Sequence, residues 1–173
     1  MGTINHATSK FITLASIDYN HSDFENDADF LEEYKDEIEE NGMFETISRV
    51  IDEYLEDDAA NIRYILNKYN FRYFSIEIEP GYYEGFSLQI EFVIDKIHDS
   101  EDKRLAQKEI TQLKQCLIEC AGSGVTACWP GWCMKYFDYP ETLRMIDDAA
   151  KEMRQAVKET QTDYTYWRNY KAV

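Results

Sequence analysis

The chain of 173 residues carries 34 Asp and Glu against 18 Lys and Arg, a formal net charge of −16. Hydrophobic residues make up 44% and aromatics 14%, which excludes a disordered chain and supplies a sizeable core. The deficit of Lys and Arg argues against direct binding to phosphate backbones, and no apolar run approaches the roughly 18 residues of a membrane span.

The opening "MGTINHATSKFITLASIDY" has no basic region followed by an apolar core. His6 also stands where a myristoylation signal has Ser or Thr, so a cytoplasmic protein is expected. Alternating apolar and polar residues predict a strand over 10–18. "NHSD" then offers helix-capping residues. Phe30, Leu31, Tyr34 and Ile38 recur at spacings of three and four, an apolar stripe on an otherwise acidic helix that Asn41-Gly42 stops. Phe44, Ile47, Ile51, Tyr54 and Leu55 predict a second helix. Ile62, Ile65, Leu66 and Tyr69 predict a third, after the acidic knot "EDDAAN".

The period then changes to two. "YFSIEIE" and "FSLQIEFVI" predict a β-hairpin over 72–79 and 86–93, with Phe74, Ile76, Ile78, Leu88 and Ile90 on its buried face. Between them lies "PGYYEG", where Pro80-Gly81 suits the centre of a type II turn. Asp99 or Ser100 caps the next helix, with the seam Ala106, Ile110, Leu113, Leu117 and Cys120 and a stop at Gly122 and Gly124. "VTACW" reads as a short strand and "PGWCMKYFDYP" as an aromatic loop. Pro140 opens a last helix with the stripe Leu143, Ile146, Ala150, Met153 and Val157. No linker or repeat interrupts this order. One α+β domain over 1–173 is expected, an antiparallel sheet of three to four strands packed by about five helices.

Charge is concentrated. Residues 23–58 hold 16 acids and two bases, Lys35 and Arg49, so −14 of the net −16 sits in about one-fifth of the chain. Such a segment is either a solvated face or a surface that meets a basic protein. Glu32, Glu33, Asp36, Glu37, Glu39 and Glu40 are expected to be exposed opposite the apolar stripe, because burying unpaired carboxylates is costly. Asp52, Glu53, Glu56, Asp57 and Asp58 are expected to continue that face. Tyr82 and Tyr83 at the hairpin tip are candidate interface anchors.

Catalytic signatures are absent. Cys116, Cys120, Cys128 and Cys133 have C-x3-C and C-x4-C spacings, unlike zinc knuckles, and are expected to be reduced and metal-free. His6, His21 and His98 are remote in sequence from Cys133, so no cysteine–base pair is apparent. Asp23, Glu25 and Asp27 imitate the start of an EF-hand loop, but Ala28 replaces its glycine and Tyr34 its bidentate Glu. No enzyme activity, cofactor or metal is assigned. Three readings remain open. One is an acidic interaction protein that imitates nucleic acid. Another is a small-molecule or peptide binder, or an enzyme, using the "GYYEG" tip and a "PGWC" pocket lined by Cys133, Trp132 and Tyr83. The third is a regulatory or assembly protein.

"PGYYEGF", "WPGWC", "DYPETLRMIDDAAKEMRQAV" and the opening "MGTINHATSKFITLA" together resemble an uncharacterised family of small acidic proteins from phages and mobile elements of Gram-positive bacteria. The resemblance spans most of the chain. Its members often close the last helix with a "TPTW" turn, and "TQTDYTYW" departs from that here. The resemblance implies no activity and no catalytic residues. It implies a setting in which small acidic proteins block host nucleases of the CRISPR or restriction type. The partner expected on this ground is a basic nucleic-acid-binding protein of the host, with no direct contact to nucleic acid or membrane.

Overall fold

The computed structural model describes residues 9–17, 21–81, 85–123, 135–136 and 139–160, with the backbone alone for residues 16, 17, 135, 136 and 139. Among these residues four antiparallel strands, β1 (Lys10–Ile17), β2 (Phe74–Pro80), β3 (Gly85–Phe92) and β4 (Lys135–Tyr136), form one sheet in the order β2-β3-β1-β4. Among the described residues six helices accompany it: α1 (His21–Asn26), α2 (Ala28–Glu33), α3 (Lys35–Asn41), α4 (Met43–Asn67), α5 (Ser100–Gly122) and α6 (Tyr139–Glu159), with a 3-10 turn at Ile94–Lys96. This is the α+β arrangement that the change of period predicts.

The hairpin forms as expected, with Phe74 opposite Phe92, Ile76 opposite Ile90 and Ile78 opposite Leu88. Phe74, Leu88 and Ile90 are buried, but Ile76 and Ile78 are only half-buried. β2 is the sheet edge, so its inward side chains have a neighbouring strand on one flank only. Pro80 does not occupy a turn centre. It ends β2 opposite Phe86, where an edge strand tolerates the missing N–H. Gly81 instead donates its N–H to the Gly85 carbonyl at 2.6 Å. A Cβ on Gly81 would lie 2.9 Å from the Gly85 carbonyl carbon, so the two backbones meet where no side chain fits. A bulge between Thr13 and Ala15 in β1 lets Leu14 and Ala15 face the core in succession.

The main core lies between one sheet face and the helices. Ile12, Leu14, Leu88 and Ile90 meet Ile62 and Ile65 of α4, Ala106, Ile110, Leu113 and Leu117 of α5, and Ile146, Met153 and Val157 of α6. Leu143 of the expected α6 stripe is half-buried at its margin. The other sheet face is polar, with Thr13, Ser75, Glu77, Glu79 and Glu91 exposed around Phe11. "VTACW" and Gly124 lie outside the described residues, and the fourth strand comes from Lys135–Tyr136, paired with β1.

Two helical expectations are corrected. "EDDAAN" does not separate two helices, because α4 runs unbroken through it for 25 residues. The knot contains no Gly or Pro, and Ala59 and Ala60 favour helix. Conversely, the acidic run is not one helix. It breaks at Asp27, whose carboxylate takes the Phe30 N–H at 3.0 Å, and at Tyr34, whose ψ of 18° departs from helical geometry. Gly42, at φ 93°, turns the chain sharply from α3 into α4, as the Asn41-Gly42 stop predicts.

A buried polar latch joins the hairpin to α5. The Tyr73 hydroxyl donates to Asp102 at 2.7 Å, and the His98 N–H donates to the other Asp102 oxygen at 3.0 Å. Glu109 accepts from the Tyr73 and Arg72 N–H groups at 2.8 and 3.2 Å. Asp99 caps α5 by accepting from the Asp102 N–H at 2.8 Å. The Tyr73 hydroxyl holds the Asp102 carboxyl below its usual range, against the opposing effect of burial. Burial and then the bond to Asp102 push Tyr73 up to about 12.

Two outcomes are expected. Gly81→Ala lowers the unfolding free energy by about 1–3 kcal/mol, read by chemical denaturation, because backbone at the close approach has to shift. The ionised Asp102 contributes stability that is present above its unfolded pKa of about 4 and lost as pH falls through the lower folded value. Asp102→Asn therefore destabilises at pH 7 by about 1–3 kcal/mol and flattens the acid limb of stability against pH. An acid limb as steep in the variant as in the parent would refute the assignment.

Candidate protein-binding surface

The expected acidic face resolves into parts. Glu32 and Glu33 of α2, Asp36, Glu39 and Glu40 of α3, and Asp52, Glu53, Glu56 and Asp57 of α4 are exposed. Glu37 is half-buried and Asp58 is buried, at 8% exposure. Asp58 leaves the face because of its phase in the helix. It stands seven residues after Ile51, four before Ile62 and seven before Ile65, all buried on the same seam. That phase was readable from the sequence once α4 was taken as continuous.

Glu37 is drawn inward by Arg49. The guanidinium makes a forked contact with it, Nε to Oε1 at 2.5 Å and Nη2 to Oε2 at 2.8 Å, and its Nη1 reaches Glu53 at 3.0 Å. The same guanidinium lies 5.7 Å from the centre of the Tyr34 ring. Arg49 therefore ties α3 to α4 and sets the carboxylates of one helix beside those of the other. A fork this well formed raises the Arg49 pKa, chiefly through the Glu37 bond. The sequence signal for the Glu53 contact was Arg49-x3-Glu53, an i,i+4 pair in a segment with one arginine; nothing local signalled Glu37.

Beneath these carboxylates lies a second, smaller core. Phe24, Phe30, Ile47, Val50 and Ile51 are buried together, with Tyr34, Ile38, Met43 and Tyr54 packed around them. Leu55 packs against both this cluster and the main core. Phe44 does not join it. At 59% exposure it stacks on His21, ring centres 4.8 Å apart.

Acids outside this segment meet bases more evenly: Lys10 pairs with Glu152, Lys68 with Glu119, Arg104 with Glu101, Lys114 with Asp147 and Arg144 with Glu141. Along α2 and α3, by contrast, Asp29–Glu33, Glu32–Asp36, Glu33–Glu37 and Asp36–Glu40 repeat like charges four residues apart. Each such pair costs about 0.2–0.5 kcal/mol in a regular helix.

Tyr82, Tyr83, Cys128, Trp132 and Cys133 lie outside the described residues. Cys116 and Cys120 are buried free thiols one turn apart on α5. The bond to Cys116, and then burial, push the Cys120 thiol far up. Next to them the Tyr69 hydroxyl donates to Glu119 at 2.6 Å, which raises Tyr69 to about 12. Among the described residues no group of three His, Cys, Asp or Glu converges as a metal site. No described helix is long and apolar enough to cross a membrane.

Full burial makes Cys116 and Cys120 unreactive, and the raised pKa of Cys120 reinforces this for that thiol. In a Cys128→Ser, Cys133→Ser background, Ellman's reagent at pH 8 is expected to find no fast thiol in the folded chain and both thiols after denaturation. Fast native labelling would show that the α5 seam opens. Compared with protein-family models, curated proteins and solved structures, the chain matches none.

Proposed function

We propose that this chain is a non-enzymatic interaction protein that presents a carboxylate surface, in place of a nucleic-acid backbone, to a basic nucleic-acid-binding protein. In the phage or mobile-element setting that the sequence resemblance implies, the target is a host defence nuclease of the CRISPR or restriction type. One observation carries this reading: nine exposed carboxylates of the candidate face project from α2, α3 and α4, helices held against one another by a small packed core and by Arg49. Carboxylates one helical turn apart stand about 5–6 Å from one another, close to the spacing of phosphates along a strand. A basic cleft built for DNA meets such a surface through the same long-range attraction.

The reading is tested with purified CRISPR and restriction nucleases in DNA-cleavage assays. The chain is expected to inhibit at least one of them, with affinity falling about tenfold or more as salt rises from about 50 to 200 mM. The combined variant Glu33→Lys, Asp36→Lys, Glu40→Lys, Glu56→Lys is expected to lose inhibition while keeping its circular dichroism, since an exposed charge contributes about 0–1 kcal/mol to stability. Unchanged inhibition by this variant would make the segment a solubility face.

A further inference from the structure

We infer that α1–α3 form a lid over the N-terminal half of α4 whose closure is gated by ionic strength. This inference is independent of the proposed partner, since it concerns the chain alone.

The lid is weakly held by its own means. Its helices have six, six and seven residues, too short to persist without packing. Their apolar anchors are Phe24 and Phe30, set against Ile47, Val50 and Ile51 of α4. Residues 21–41 carry ten acids and one base, Lys35. The exposed acids of α4 add to the same field. At an ionic strength of about 0.01 M the Debye length is about 30 Å, so every charge of the lid feels every other. At about 1 M it is about 3 Å, and only touching charges count. α3 is about 10 Å long, so ionic strengths between about 0.01 and 1 M span the range over which lid charges couple or decouple. Salt also screens the Arg49 pairs with Glu37 and Glu53, but repulsive pairs outnumber attractive ones in this segment, so the net effect of salt is to close the lid. Opening bares Ile47, Val50 and Ile51, while the main core, built on β1, β3, α5 and α6, stays shut.

Hydrogen exchange of the full chain, read by mass spectrometry at about 0.01 M and about 0.5 M NaCl, tests this. Amides of 24–41 are expected to exchange about tenfold or more slowly at the higher salt, while those of β3 and α5 keep their rates. Arg49→Ala is expected to speed exchange in 24–41 at low salt. The double variant Asp36→Asn, Glu40→Gln removes repulsion without removing the clip and is expected to shrink the salt response, an arm that stands even if Arg49→Ala fails to fold. Exchange in 24–41 that ignores salt, that changes in parallel with α5, or that keeps its full salt response in the double variant would overturn the inference.

Discussion

One apolar seam along α4 serves two cores. Ile47, Val50 and Ile51 close the small cluster under α1–α3, while Ala59, Ile62 and Ile65 face the sheet and α5. Leu55 touches both. The helix has to be continuous for this to work, because a break near "EDDAAN" would leave each half free to turn its seam away from the other. Among the described residues, the acidic layer packs on the fold chiefly through one 25-residue element. Arg49, projecting from that element, decides how the carboxylates of α3 are presented.

Charge and packing are distributed in opposite senses. The main core collects apolar side chains from three strands and three helices, and the acids around it face bases. The small core has five buried side chains and lies beneath most of the net charge. Self-repulsion thus acts where apolar burial is least able to resist it. A surface of this kind favours fast, salt-sensitive association with a basic partner, and the same charges loosen the helices that carry them.

The sheet is protected differently. Its edge strand β2 carries Glu77, Glu79 and Pro80, which discourage another chain from adding to it. The start of that strand is held by Tyr73, whose hydroxyl reaches Asp102 at the first turn of α5. The bond links residues 29 apart in sequence, so hairpin and helix are locked by a contact that either element alone lacks.

Local pattern was enough for much of this. The period-two runs determined the hairpin, Asp99-Ser100 the start of α5, Asn41-Gly42 the corner before α4, and the i,i+3/i+4 stripes the buried faces of α5 and α6, because strand alternation, capping and amphipathicity are properties of adjacent residues. The exposure of Glu32, Glu33, Asp36, Glu39 and Glu40 followed from the same periodicity. What the sequence could not decide was settled by contacts distant along the chain. Edge position left Ile76 and Ile78 half-covered. Arg49 reached twelve residues back to Glu37, and Tyr73 found Asp102. Each of these depends on which elements become neighbours, and no window of local sequence contains that information.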